Sequence, residues 1–394
     1  MKLFGCICLV AGTAIGAGML ALPITLAKFG LIYGSLLMLG TWGICYLSAL
    51  LNLELNLRAG DGLPIGALGM HFSGIKAYIA GSFSLLLLCY ALACAYIYGG
   101  TSTLISIEGF PLDFNQTACI YTACIGLVML WSVEKVDWVN RVLFIGLIAV
   151  VLAILVVILW HLDFAKLPSA PLTSLNLIDA NHVLPVVFTS FGFQVIFHTL
   201  TNYTQKDSVM LKKAFFWGSL IPAIVYLAWT TSVCGLIYGH NPELFAQMAL
   251  HGIEVGAMVQ ALSHISQSTF VNSLTWGISF LAILTSVIGV SLGLIDALKI
   301  KHPMLNNHPV AVLAALIPAL GVALLVPNAF IKALSFAGMI LSFMALLLPL
   351  YLLYCSNFKC QTYWYKLVKN PIVLVAIAGY GIWVIVSELQ NIFG

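Results

Sequence analysis

Apolar residues occur along this chain in long blocks parted by short polar stretches, rather than at the three- and four-residue spacing that gives a soluble helix one greasy face. The blocks fall at about residues 3 to 27, 31 to 55, 76 to 105, 117 to 133, 138 to 161, 182 to 203, 212 to 239, 269 to 296, 309 to 327, 331 to 354 and 371 to 391. A helix of about 20 apolar residues crosses the hydrocarbon of a bilayer. The pattern therefore predicts an all-α polytopic membrane protein with eleven transmembrane helices, the third long enough to tilt strongly. The first block begins like a signal peptide, with Lys2 ahead of apolar residues, but it continues to residue 27 and carries a glycine cluster, so it reads as the first span.

Two connections break the rhythm. His161 to Asn181, with Pro168 and Pro171, shows no periodicity and reads as a loop. From Asn241 to Ser266 the apolar residues Leu244, Met248, Val255, Met258, Val259, Leu262 and Ile265 recur at helical spacing among Glu243, His251, Glu254 and Gln260. That segment predicts one or two amphipathic helices at the membrane surface, either as a lid or as a plain interfacial element.

The first span holds Gly12-Thr13-Ala14-Ile15-Gly16-Ala17-Gly18, with Pro23 just beyond. Each glycine costs a helix interior about 1 kcal/mol relative to alanine, so three within seven residues predict that the helix opens here. Backbone that opens at bilayer depth must line a polar cavity, offering carbonyls from one half-helix and amides from the other. An amino acid zwitterion needs both. Five spans later, Phe188-Thr189-Ser190-Phe191-Gly192-Phe193-Gln194 interrupts the sixth block in the same way. That spacing is the one expected of two inverted five-helix repeats, each opened by a broken helix.

Composition agrees with the pattern: 62% of residues are hydrophobic and only 7% charged, with a mean hydropathy of +1.07, where soluble domains carry about 25% charge. The net charge of +3 is small and its basic residues are dispersed, so nucleic acid is not an expected partner. Their placement reports orientation instead. Lys2, Arg58, Lys76, Lys135, Arg141, Lys206, Lys212, Lys213, Lys299, Lys301, Lys359, Lys366 and Lys369 fall on one side of the eleven-span arrangement and only Lys28, Lys166 and Lys332 on the other, which predicts a cytoplasmic N-terminus and a C-terminus outside. Trp131, Trp138, Trp160, Trp217 and Trp364 sit near span ends as an aromatic belt does, whereas Trp229, Trp276 and Trp383 lie deeper and read as packing residues. The ten cysteines form no CxxC pair and lie mostly in apolar runs, so reduced thiols are expected and no metal site.

Val10-Ala11-Gly12-Thr13-Ala14-Ile15-Gly16-Ala17-Gly18-Met19-Leu20-Ala21-Leu22-Pro23 resembles the first-helix motif of the bacterial aromatic amino acid permeases, above all the tyrosine-specific ones. The resemblance recurs in Tyr90-Ala91-Leu92, Ala95-Tyr96-Ile97, Phe188 to Phe193, and Thr285-Ser286-Val287-Ile288-Gly289-Val290 running to Asp296, and so covers spans one to ten. It implies a LeuT-like five-plus-five inverted repeat plus one extra helix, with helices one and six broken, in a single transporter domain whose repeats lie at about 1–161 and 182–354 and whose extra helix lies at about 371–391. The implied function is import of an aromatic amino acid through a bacterial inner membrane by proton symport, with tyrosine favoured and tryptophan or phenylalanine open. The alternative is a sodium-coupled or small neutral amino acid transporter of the same fold.

By that resemblance the amides of Ala17 and Gly18 take the substrate carboxylate, and the carbonyls of Ala14, Val187 and Phe188 with the Ser190 hydroxyl take the ammonium group. Gly16, Met19 and Gly192, at the two breaks, are counted with them as substrate-binding residues. The aromatic ring needs a flat apolar wall, for which Tyr90, Tyr96, Phe191, Phe193 and Phe336 are candidates, with Gln194 as a polar handle. Tyrosine permeases tend to carry histidine where this chain has Gln194. Coupling candidates are the few ionisable residues in spans, Glu54, His198 and Asp296, for a proton. For sodium they are the oxygens of Gly12, Ile15, Thr285 and Ser286. No cofactor is expected beyond the coupling ion, and the sequence offers no reading of oligomeric state. HExxH is absent and the nine histidines lie mostly in loops, which sets enzymes aside.

Overall fold

The computed structural model describes residues 2–16, 18–60, 62–161, 167–168, 177–265, 269–301, 307–357 and 365–393, and these are predominantly helical, with no strand among them. The helices are α1 (Lys2–Ala14), α2 (Gly18–Leu26), α3 (Gly30–Ala59), α4 (Ile65–Ser73), α5 (Ile75–Ile105), α6 (Phe114–Met129), α7 (Val133–His161), α8 (Leu177–Ser190), α9 (Phe197–Tyr203), α10 (Ser208–His240), α11 (Pro242–His251), α12 (Val255–Ile265), α13 (Thr269–Lys301), α14 (His308–Leu325), α15 (Ala329–Ser342), α16 (Leu348–Asn357) and α17 (Pro371–Phe393). Eight stretches among the described residues are long and apolar enough to cross a membrane: 18–59, 75–105, 138–156, 208–240, 272–299, 308–325, 329–356 and 371–393. The other three predicted blocks hold the shorter or interrupted helices α1, α6 and the pair α8 and α9. Exposed Phe4, Leu127, Ile145, Val156 and Leu325 form the apolar exterior that such a bundle turns to lipid, with Trp131, Trp138 and Trp217 exposed as belt residues are.

α5 is the hub, packed against α4, α6, α12, α13, α14 and α15, while α1 lies along α10 and α8 lies against α2, α15 and α17. The amphipathic segment forms α11 and α12, joined at Gly252 with a left-handed φ of 70°. Phe245, Met248, Val255, Met258, Val259 and Leu262 point inward. Glu254 pins the start of α12 to α5, accepting from the Tyr98 hydroxyl at 2.7 Å and from the Ser102 hydroxyl at 3.0 Å. Nine cysteines are free among the described residues, five of them buried.

Four prolines show how the spans are tied together. A proline inside a helix has no amide to give the carbonyl four residues back, and hydrocarbon offers no water to replace it. In each of four cases a side chain from another helix supplies the bond. Pro23 leaves the Met19 carbonyl, which accepts from Trp229 Nε1 at 2.7 Å. Pro185 leaves the Asn181 carbonyl to Asn391 Nδ2 at 3.4 Å. Pro318 leaves the Ala314 carbonyl to the Tyr90 hydroxyl at 2.8 Å. Pro349 follows a π turn at Phe343–Leu347 and leaves the Ala345 carbonyl, which accepts from Ser48 Oγ at 2.7 Å and Asn52 Nδ2 at 3.0 Å. Trp229, read from sequence as packing, is fully buried and also a donor.

Candidate functional site

Both predicted breaks are present. α1 ends at Ala14 and α2 starts at Gly18, with Ile15 and Gly16 bent between them; Ala17 lies outside the described residues. α8 ends at Ser190, Phe191 to Phe193 are irregular, and a 3₁₀ turn over Gln194–Ile196 leads into α9. The breaks lie side by side. A Cβ added to Gly18 would fall 2.7 Å from Ser190 Cβ and 2.8 Å from the Tyr226 hydroxyl oxygen, closer than real side chains pack, so only glycine admits this approach. Gly16 is as tight against α13, where its Cβ would lie 2.6 Å from Ser286 Oγ.

The first break frees the Ala14 carbonyl, whose helical partner would be the Gly18 amide, and the Tyr226 hydroxyl donates to it at 2.5 Å. The Gly16 amide faces that same hydroxyl. One phenol of α10 thus occupies both a freed carbonyl and a freed amide. The Met19 amide turns back to the Gly16 carbonyl at 3.0 Å. At the second break the Phe191 amide donates to the Phe188 carbonyl at 3.2 Å, which takes it away from Val187 in the α pattern, and the Gly192 amide donates to the Thr189 carbonyl at 2.9 Å. The Ser190 hydroxyl donates to the Val186 carbonyl of its own helix at 2.9 Å, keeping an oxygen lone pair free to accept.

Around this pair the structure gathers Tyr96, whose hydroxyl faces Ser286, and Phe191, whose ring meets that of Tyr226 edge-on with centroids 5.4 Å apart. Thr285 and Ser286 on α13 donate to the Leu281 and Ala282 carbonyls at 2.8 and 2.7 Å. Other candidates lie in different surroundings. Phe193 packs with Phe197 and Phe215, Phe188 lies 5.8 Å from the Tyr380 ring, and Tyr90 points its hydroxyl at α14. Phe336 is half-buried on α15, Val187 and Ile15 are buried, and Gly12 lies inside α1 against the Phe144 ring. Gln194 is 7% exposed, and neither atom of its amide has a hydrogen-bond partner, although the Cys45 thiol is close by.

The ionisable candidates are spread out. Glu54 is fully buried in an ion pair with Arg58 Nε at 2.9 Å, and its second oxygen accepts from the Tyr365 amide at 3.0 Å. Burial and the nearby Glu54 carboxylate both push the Tyr365 phenol upward. Asp296 is exposed on α13. His198 lies in α9, but its side chain is outside what the structure describes.

A helical bundle opened at two facing helices is a carrier architecture, and the comparison of sequences decides which one. The model of the tryptophan/tyrosine permease family matches residues 1–388. The chain belongs to that family. It is therefore a permease, not an enzyme, of a family that serves aromatic amino acids. This permease is 33% identical to "Tyrosine-specific transport system 2" of Haemophilus influenzae, over 95% of its own length and 93% of that protein's. It is 30% identical to a "Tryptophan-specific transport protein" of Pseudomonas aeruginosa, over 88% and 85% of the two chains. The permease fold is that of Mhp1, a LeuT-fold transporter, solved in its inward-facing conformation, with a TM-score of 0.60 at 12% identity over 99% of this chain and 89% of that one.

Sequence reasoning missed Tyr226. The signal was an apolar α10 face on which Tyr226 and Trp229 follow each other at i, i+3. Nothing local to that face names the carbonyls these side chains reach, which lie more than two hundred residues earlier.

Proposed function

We propose that this permease is a secondary carrier that imports an aromatic amino acid, tyrosine before tryptophan or phenylalanine, by proton symport with alternating access. Its N-terminus is cytoplasmic, eleven spans cross the membrane, and the repeats at about 1–161 and 182–354 form one domain with an extra helix at about 371–391. The observation that carries the reading is the approach of Gly18 to Ser190 between two opened helices. The substrate carboxylate sits at the N-terminus of α2, where unpaired amides and the helix dipole favour an anion. The ammonium group takes the Val187 and Phe188 carbonyls with the Ser190 hydroxyl. Tyr226 must release the Ala14 carbonyl and the Gly16 amide for the zwitterion to use both, so it works as a stand-in for substrate. Tyr96 and Phe191 supply the wall for the ring.

Uptake of labelled tyrosine, tryptophan and phenylalanine into proteoliposomes, with pH and sodium gradients imposed separately, tests this. We expect accumulation driven by an inward proton gradient, and exchange of labelled for unlabelled tyrosine in counterflow. Accumulation driven only by sodium would transfer coupling to that ion, and absence of counterflow would remove the carrier reading.

A further inference from the structure

Glu388 lies two turns above Tyr380 on α17 and is 4% exposed. It lies in the last turns of a helix long and apolar enough to cross a membrane, and a carboxylate buried in such a segment is costly and a functional candidate by default. Glu54 has Arg58 opposite it; Glu388 has no cation among the described residues. Its Oε2 accepts from the Ser335 hydroxyl of α15 and from Asn391 Nδ2 at 3.2 Å, both neutral donors. We propose that Glu388 takes up and releases the co-transported proton. This rests on the proton-symport reading above and names the group that performs it.

The surroundings connect that charge to the transport machinery. The first turns of α8 are moored to the end of α17 around Glu388. Asn181 Oδ1 accepts from Trp383 Nε1 at 2.7 Å and from Ser387 Oγ at 3.3 Å, its Nδ2 donates to Gln390 Oε1 at 2.7 Å, and His182 Nδ1 meets Asn391 Oδ1 at 2.7 Å. Asn391 therefore touches Glu388, His182 and the Asn181 carbonyl at once. On the other side, Ser335 follows Leu334, whose carbonyl accepts from the Thr189 hydroxyl at 2.8 Å. Thr189 precedes Ser190, the residue that meets Gly18. Uptake adds one proton to a Glu388 oxygen and cancels one negative charge; release returns the proton to water on the far side and restores it. A carboxylate only accepts hydrogen bonds, whereas a carboxylic acid also donates one. Protonation at Oε2 displaces one of the Ser335 and Asn391 contacts, protonation at Oε1 weakens both by removing the charge they donate to, and each contact bears on α8.

The titratable and charged groups on the elements packed around α17 are accounted for. Asp179 of α8 is ion-paired with Lys28, and His182 is bonded to Asn391. Lys332 of α15 is exposed and makes no ion pair with Glu388. On α3, Tyr33 is exposed, Cys45 is buried beside Gln194, Tyr46 stacks on Trp42, and Glu54 and Arg58 are paired with each other. Tyr380 on α17 itself pairs with Thr41 at 2.7 Å, and Lys366 and Lys369 sit beyond the opposite end of α17.

The test is Glu388→Gln in proteoliposomes, with a pH-sensitive dye trapped inside. We expect tyrosine counterflow to persist, accumulation under a proton gradient to fall to the equilibrium ratio of one, and the substrate-linked pH change to disappear. Where Glu388→Gln also loses counterflow, Glu388→Asp decides: the shorter carboxylic acid restores gradient-driven accumulation if the proposal holds, and equal failure of both variants overturns it. Persistent gradient-driven accumulation by Glu388→Gln overturns it as well, while leaving the carrier reading intact. A wild-type protein that exchanges tyrosine but ignores the proton gradient removes proton symport itself, and with it this role.

Discussion

At the first break a single neighbour claims the backbone that opens. Tyr226, Trp229 and Cys234, all on α10, reach the carbonyls of Ala14, Met19 and Pro23, the last at 3.7 Å from sulfur. At the second break the work is divided. α15 meets α8 through the Thr189 hydroxyl and through Gly338, which lies against the Pro185 carbonyl, while α17 holds the Asn181 end. The irregular stretch is also longer there, and it carries an amide with no partner on either atom. The first break is thus held by side chains of one helix, whereas the second is suspended between two helices and carries a buried amide with polar capacity left over. In physical terms the second is the easier one to rearrange, because fewer buried bonds must break at the opening itself.

Four substitutions put that contrast at risk, from largest effect to smallest. Gly18→Leu drives a side chain into Ser190 and Tyr226, so we expect initial uptake to fall by about 100-fold or more while membrane fractions still contain the protein. Normal uptake would mean that the two breaks need not approach. Trp229→Phe leaves the Met19 carbonyl bare and should cost about 1–3 kcal/mol, read as a lowered melting temperature in detergent. Adding Pro23→Ala to it should recover part of the loss, since the new amide can bond Met19 again, and strict additivity of the two changes would refute the pairing. Gln194→Leu removes a buried amide without partners and should stabilise the protein by about 1–2 kcal/mol; a loss of stability would reveal a bond not accounted for. If Gln194 is the polar handle, the same variant lowers tyrosine uptake relative to phenylalanine. Asn391→Ala gives up contacts that are partly open to solvent, so water replaces some of what is lost, and it should cost about 1 kcal/mol or less, below Trp229→Phe in the same melting assay.

Much of this was readable from the chain. Three glycines in seven residues have no use in a continuous membrane helix, so the opening between Ala14 and Gly18 is visible in the sequence itself. Gly192 among hydroxyl residues gave a weaker mark that became legible only because it lay five spans later. The α11 and α12 pair followed from apolar periodicity with charges between. What escaped was every contact whose two members lie far apart in the chain. The prolines were plain to see, but nothing near Pro23 points to Trp229, and an apolar tryptophan deep in a span looks the same whether it packs or donates. Glu388 was missed among the coupling candidates, because it stands near the end of the last block and its burial is made by α8 and α15. Glu54 and Arg58 carried their i, i+4 spacing openly, yet their full burial depends on Tyr365 and Ser356 folding over them.

The proline-orphaned carbonyls also bear on which parts of the bundle can travel separately. Pulling α10 from α2, α5 from α14, or α3 from the α15–α16 rod would strand a peptide oxygen away from water, at about 1–3 kcal/mol each. Any swing between the two open forms of such a carrier should therefore run along seams that contain none of these clasps, with each clasped pair carried as one rigid piece.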